Sequence, residues 1–593
     1  MTSRKRGLRM DEYANVWPEG GLFAFSGADG ETRCAEPFVA AGTAEGLGWD
    51  FWLSPRLVLA LTVGGKRLAQ FRSPGDYCFG DCWRVTALYE GEEGVVEGAF
   101  VDCASMTVQV RFSNLPESVA PELGANLEGK VSGDGATVYS GEGWTVAVVG
   151  RKDEQAHRFG VGISYESEAE AAGRARAALD ADFGEATSAR LAFYRAIEPP
   201  GSLSGSNRRT YYKAASVEKI SIESAQLDIP FRWTTADRMP HRYLWLWDTA
   251  FHVLGLQHTR PELARDVLRA LFVKQLPSGK LNLAVRPGEL LPVKEGCQPP
   301  LLAWAVCQLS EHTMRQDFMG EMYDGLVRYI EWFEDSRKLP NGLYGWQLRV
   351  EDDAIRGARG AESGMDNSPR FDEANVITAV DLSSYMASEY HSLEKIAKCL
   401  DRPRDVEEWK RRRAEITARM NELLWDDEAT FYFDLDEFGE FIPVKTAAGF
   451  MPLFGQIPDR DRAEALRMHL MNPNEFWSPF PVPTVSPDEA TYSQDMWRGP
   501  TWININTLIY YGLMSYGFFQ EGRRIARISL QEIARCYMLY GCLYEYYDSS
   551  TNLPPAELPR KGGCGNKGGA GFGVVRDFHW TAALFIHLAH ELD

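Results

Sequence analysis

The sequence is poor in histidine, in positive charge and in long apolar runs, and each shortage closes off a class of function. Ten histidines in 593 residues, few of them in candidate motifs, argue against chemistry built on paired imidazoles. Lys and Arg number 63 against 83 Asp and Glu, a formal charge of −20 at pH 7. The chain therefore carries no basic footprint for nucleic acid or an anionic membrane. No stretch approaches the ~18 uninterrupted apolar residues that a membrane span needs. The first ten residues are charged and lead into Asp11, Glu12 and Asn15 rather than an apolar segment, which predicts no secretory signal. The 10 cysteines are scattered, and Cys78 and Cys82 have neither CxxC spacing nor a nearby His. Buried free thiols in a reducing, cytoplasmic setting are expected, with no zinc site. GxSxG, Walker A and a strand-to-helix GxGxxG are missing as well, so serine-hydrolase and nucleotide chemistry have no anchor.

What is present is an ordinary globular composition, 45% hydrophobic and 25% charged, long enough for about three or four domains. Aromatics make up 12%, including 17 Trp; such rings fill large cores, and they also stack on the C–H faces of sugars. The chain changes character once. Residues 20–165 read as short strands, among them 56–63, 82–89, 106–112, 144–149 and 159–165, separated by glycine-rich turns. The run Met106–Phe112 alternates apolar and polar residues, as a strand with one buried face does. This spacing predicts an N-terminal antiparallel β-sandwich over 1–165. Residues 166–207 read as a helical linker rich in Ala, Glu and Arg. From 208 to 593 nearly every periodic segment is helical: 208–225, 246–258, 261–275, 299–313, 317–336, 373–399, 403–424, 446–454, 459–470, 500–515, 519–538 and 578–592. Long loops at 339–372, 472–498 and 541–577 interrupt them, and such loops in a helical domain usually carry function. Paired helices with one elaborated rim suggest a closed α/α toroid; a solenoid is the alternative, but no fixed repeat is visible.

Several clusters could carry chemistry. Asp248 lies in the first turn of a helix between aromatic residues in Trp245-Leu-Trp-Asp-Thr-Ala-Phe-His252, where a carboxylate also suits the helix end. Asp248 and His252 have i,i+4 spacing but no third metal ligand nearby. Asp366 sits in a loop, followed by Asn367 and a Pro; an Asx turn is its ordinary role. Arg498, Trp502 and Asn506 open a helix, with Trp502 and Asn506 on one face. Glu545 stands among three Tyr in Leu543-Tyr-Glu-Tyr-Tyr-Asp548, and could equally be a solvated carboxylate beside a turn. Gly562–Gly573 is glycine-rich with Lys567 but lacks a phosphate-loop ending, so it reads as a mobile substrate-contact loop. His587 and His590 read as a solvated helix end.

Six motifs in order, Trp247-Asp-Thr-Ala-Phe-His, Gln298-Pro-Pro, Glu362-Ser-Gly-Met-Asp-Asn-Ser, Gly499-Pro-Thr-Trp, Tyr544-Glu-Tyr-Tyr-Asp and Trp580-Thr-Ala-Ala, resemble the catalytic domain of glycoside hydrolase family 63. Family 37 trehalases and mannosylglycerate and glucosylglycerate hydrolases are relatives, and the likeness covers roughly 210–593. The resemblance implies an (α/α)6 barrel at 208–593 and inverting, exo-acting hydrolysis of an α-glycoside, an α-glucoside first of all. It places the general acid on Asp366 and the general base on Glu545. It places Trp247, Asp248, Gln298, Arg498 and Trp502 around the cleaved sugar, with Asn367 and Trp580 in the same motifs. Trp247 and Trp502 would stack on the ring, and no metal or organic cofactor is needed. The segments 347–361 and 549–577 depart from the family pattern, so its leaving-group preference does not transfer. Two other readings compete: a sugar epimerase or isomerase on an α/α barrel, which would add no water, and a carbohydrate-binding protein that binds without turnover.

Overall fold

A computed structural model describes residues 12–593 apart from 19, 25–37, 42–46, 52, 54–56, 64, 114–118, 124–128, 134, 154–155, 239–240, 290–295, 349–358 and 563–572. The chain forms two compact units: Met1–Ser224 with Ile533–Leu543 and Asp593, and Ala225–Glu532 with Tyr544–Leu592.

The first unit holds two antiparallel sheets. One orders Leu22–Ala24, Phe38–Ala41, Gly48–Phe51, Leu57–Val63 and Val119–Leu123. The other has Ser105–Phe112 between Glu92–Asp102 and His157–Ser164, with Val108 opposite Gly98 and Phe159. Trp49, Phe51 and Leu59 of the first sheet join Trp83, Phe100, Val108 and Val161 of the second in one hydrophobic core. Gly98 is required there, since a Cβ would fall 2.0 Å from the Trp83 ring. The strand at Ser105–Phe112 is buried on both faces rather than one. Its second face is closed because Gln109 donates to Glu97, which also takes Arg84 and Arg111.

Three whole helices lie in that unit: α1 (Glu168–Asp180), α2 (Phe183–Ala196) and α3 (Gly205–Ile220). Ser167 and Asp182 cap α1 and α2 by accepting from Glu170 N and Glu185 N, each satisfying an orphan helix donor. α1 lays Ala171, Ala172 and Ala175 on the second sheet. The approach is close enough that a Cβ on Gly160 would sit 1.9 Å from the Ala175 carbonyl oxygen.

The second unit is helical: α4 (Leu246–Thr259), α5 (Pro261–Val273), α6 (Leu302–Thr313), α7 (Gln316–Arg337), α8 (Val380–Cys399), α9 (Pro403–Leu423), α10 (Met451–Gly455), α11 (Arg460–Leu470), α12 (Ile503–Ser515) and α14 (His579–Glu591), with α13 (Phe519–Tyr540) divided between the units. Packing runs from α4 to α6, α8, α10, α12 and α14 in turn, and α14 packs back on α4. These six helices are buried nearly all round, whereas α9 buries only Trp409, Ile416 and Met420. α5 packs on α4, α7 on α6 and α8, and α9 on α8. Each outer helix thus needs one apolar stripe, which is why its period is legible. The helix expected from 373 begins at Val380 instead. The β-branched run Val376–Thr378 pairs as a strand with Gly345–Gln347, as β propensity favours.

Candidate active site

The N-terminal ends of α4 and α14 and the long loops meet at a cavity of about 430 Å³, open solvent at its mouth included. Its wall is aromatic, built from Trp245, Trp247, Trp497, Trp502, Phe578 and Trp580. Its polar groups are Asp248, Gln298, Asp366, Glu545, Arg560 and His241. An apolar hollow with a few converging polar groups is the usual form of a small-molecule site.

Asp366 is presented by a loop of tight turns. Gly360 N donates to the Asp366 carbonyl, and Ser363 Oγ accepts from Met365 N. Gly364 has φ 74°, and a Cβ there would lie 2.3 Å from the Trp247 ring; only glycine fits both demands. Arg370 anchors the far end of the loop in a buried ion pair with Asp381 and a second, at 3.0 Å, with Asp434. Glu362 anchors the near end through Arg337 at 2.7 Å and the Cys297 and Gln347 amides. Asp366 itself pairs with Lys561, Nζ to Oδ2 2.5 Å.

Glu545 lies in an extended segment held on two sides. Its N–H donates to Val575 O at 3.0 Å, and Thr501 and Tyr547 exchange both backbone bonds. Asp548 ends the segment by accepting from the Ser550, Asn552 and Leu553 amides. The Glu545 carboxylate accepts from Arg560 through Nε at 3.1 Å and Nη2 at 3.2 Å. This fork is the strongest geometry a guanidinium offers. Burial works against the Arg560 charge, but the Glu545 carboxylate overrides it and holds the group above its ordinary range. Arg560 Nη2 also lies 3.4 Å from His241 Nε2, and His241 Nδ1 lies 2.6 Å from Asp237 Oδ2. A donating Arg560 makes Nε2 the acceptor, so Nδ1 carries the proton toward Asp237. The Tyr546 hydroxyl donates to Pro559 O at 2.7 Å, seating Arg560 and Lys561 directly after it.

Of the residues singled out from the sequence, Asp366, Glu545, Trp247, Asp248, Gln298, Trp502 and Trp580 line this cavity. Asp248 is buried, and burial pushes its carboxyl well above the ordinary range, with Asp237, Glu545 and Asp366 adding to the effect. Gln298 Oε1 accepts from Trp247 N at 3.1 Å. Asn367 and Arg498 are not among the lining residues. Asn367 Oδ1 accepts from Trp497 N at 3.0 Å. Arg498 clasps Asp372 at 2.7 Å and the Asn367 carbonyl at 3.1 Å, so both residues tie the Asp366 loop to the 495–498 turn. Trp502 stacks on Trp497 at 3.6 Å and on Tyr546 at 4.8 Å. The Trp497 ring covers one face of Trp502, and that face offers a sugar no stacking platform. Asn506 is buried and satisfied by the Val482 amide, Pro481 O and Ser529.

His252 does not pair with Asp248 as metal ligands would: Nδ1 bonds Thr234 and the ring stacks on His579 at 3.8 Å. His587 is fully buried rather than solvated, with Tyr511 at 2.7 Å and His258 at 3.1 Å, because α14 is an inner helix. Sequence reasoning missed Arg560, Lys561, His241 and Asp237. The i,i+4 pair Asp237 and His241 just before the tryptophan motif was the available signal. The glycine-rich stretch 563–572 and residues 349–358 lie outside the described residues.

Residues 241–581 match the mannosylglycerate hydrolase MGH1-like glycoside hydrolase domain. An uncharacterized protein of Borreliella burgdorferi is 28% identical over 36% of this chain and 42% of its own length. A mannosylglycerate hydrolase of Rubrobacter radiotolerans is 25% identical over 62% of this chain and 97% of its own. The GH63 mannosylglycerate hydrolase of Thermus thermophilus has been solved with glucose, and separately with Tris and D-glycerate. It superposes with a TM-score of 0.52 at 25% identity, over 64% of this chain and 99% of its own.

Proposed function

Since the chain belongs to the family of mannosylglycerate hydrolase MGH1-like glycoside hydrolases, we propose that it is an inverting, exo-acting α-glycoside hydrolase, with an α-glucoside or related small α-glycoside as substrate. The observation that carries this is the placement of Asp366 and Glu545 in one aromatic-walled cavity, each with its own cation. In this reading 208–593 is the catalytic region and its six-helix ring is the inner ring of an (α/α)6 barrel, preceded by the β-sandwich at 1–165 and the linker at 166–207. Asp366 gives its proton to the glycosidic oxygen as the C1–O bond breaks. Glu545 takes a proton from the water whose oxygen attacks C1 from the opposite face. Asp248, whose carboxyl burial pushes well above its ordinary range, holds a sugar hydroxyl, and Gln298 fixes the neighbouring Trp247 beside the ring. Trp580 and Trp247 supply the apolar wall, while Asn367 and Arg498 hold the acid loop rather than the sugar. No step calls for a metal or organic cofactor. Cys82, Cys297, Cys307 and Cys399 carry free thiols, which suits a reducing, cytoplasmic setting. No described helix is long and apolar enough to cross a membrane.

Proton NMR of the first product formed from α-glucosides and α-mannosides tests the reading. A β-anomer released first is the expected result. An α-anomer would mean retention and sink the two-carboxylate scheme. A product of unchanged mass would point to isomerisation instead.

A further inference from the structure

We propose that Asp237 and His241 are positioning residues for the base: together they hold Arg560 in the one fork that leaves a single oxygen of Glu545 open to water. This rests on the reading of Glu545 as general base.

A guanidinium has five donors and can fork a carboxylate through more than one pair of them. Arg560 uses Nε on Glu545 Oε2 at 3.1 Å and Nη2 on Oε1 at 3.2 Å. Oε2 also faces the Val575 amide at 3.5 Å, which covers its second lone-pair site. Oε1 takes only Nη2 among the described residues, so its second site is the one that can receive the proton of water. Another fork would move that opening, and a base must lie within hydrogen-bond reach of the proton it takes.

Nη2 has a second hydrogen, and it meets His241 Nε2 at 3.4 Å. That contact selects the fork, because a guanidinium turned to present Nη1 would lose it. The imidazole accepts there only with its proton on Nδ1. Asp237 Oδ2 lies 2.6 Å from Nδ1, and Asp237 Oδ1 accepts from the His241 N–H at 2.9 Å. One carboxylate thus fixes the tautomer, the ring and the backbone of His241, since the partner of one ring nitrogen decides the state of the other. The Trp245 indole N–H holds the His241 carbonyl at 3.1 Å. The Asp237 side chain is fully buried, and those of His241 and Arg560 are 19% and 11% exposed, so water competes little for these bonds.

The test uses α-glucosyl and α-mannosyl fluorides beside the matching O-glycosides. Fluoride departs without a proton, so hydrolysis of the fluorides reports the base side alone. In His241→Ala kcat is expected to fall about 10–10²-fold on fluorides and O-glycosides alike, with KM within about threefold. His241→Gln restores an acceptor at the Nε2 position and should recover most of that loss. His241→Asn restores only the Nδ1 side and should not. Asp237→Asn leaves one acceptor for two His241 donors, and kcat should fall at least about fivefold. A change in KM with kcat intact, recovery by Asn as complete as by Gln, or wild-type kcat in Asp237→Asn would overturn the proposal. If His241→Ala does not fold, the Gln and Asn variants and Asp237→Asn decide. Glu545→Gln is run alongside. Near-full activity of that variant on the fluorides removes Glu545 as base, whereas its inactivity beside wild-type kcat in Asp237→Asn removes only the role of Asp237 and His241.

Discussion

The two sides of the cavity are built on opposite plans. Glu545 is 4% exposed, forked by Arg560 and held by its own N–H on Val575 O. Asp366 is 21% exposed, carried by a turn and paired with a lysine on a flexible stem. In the proposed scheme Glu545, as the base, aims one water at one carbon from the fixed side. Asp366, as the proposed acid, serves the leaving group from the more exposed side. The same pairing of carboxylate with cation thus differs in burial and in the choice of Arg or Lys.

The largest effect that can break this comparison is loss of either carboxyl. Glu545→Gln and Asp366→Asn are each expected to lower kcat by about 10³-fold with the fold intact, read by steady-state assay and circular dichroism. Next come the two cations. Arg560→Met leaves the Glu545 carboxyl buried without its cation, and urea unfolding should show a loss of about 3–5 kcal/mol. Lys561→Met removes a part-exposed pair and should stay within about 1 kcal/mol of wild type. Equal losses would erase the distinction between the two sides. Gly364→Ala tests the loop that carries Asp366 alone. Its φ of 74° and the 2.3 Å approach to Trp247 predict a loss of about 2–3 kcal/mol, with a fall in kcat that the base side does not share.

The smallest effect concerns the frame beneath both. Glu389 of α8 caps α6 by accepting from the Ala303 and Trp304 amides, both at 2.9 Å. Burial raises its carboxyl from 4.5 to about 7. The folded state therefore binds this proton more tightly than the unfolded chain. Its contribution is full below about pH 4.5 and is lost as pH rises through about 7. In Glu389→Gln the melting temperature should fall less between pH 5 and 8 than in wild type, and an identical fall would reject the assignment.

Much of the frame was legible because its signal is local. α9 shows a single apolar stripe, and strands such as Cys82–Tyr89 are bounded by glycine turns. The strand at Val376–Thr378 was not, because a three-residue pairing with Gly345–Gln347 leaves no period to read. Asp366 and Glu545 were legible as a family pattern, since six motifs stand in order. Arg560, His241 and Asp237 were not, because each belongs to the site only through contacts across the fold. Arg498, a cation beside a tryptophan motif, pairs with Asp372, a partner that only the folded loops bring to it.

The order of residues alone determined that this chain has a strand-rich N-terminal part, a helical remainder, a family and two candidate acids, because hydrophobic period and motif order survive in one dimension. Which cation meets which acid, which tryptophans stack on each other and which histidines are buried were decided in three dimensions. Those properties depend on distances and dielectric surroundings, and neither exists until separated segments pack together.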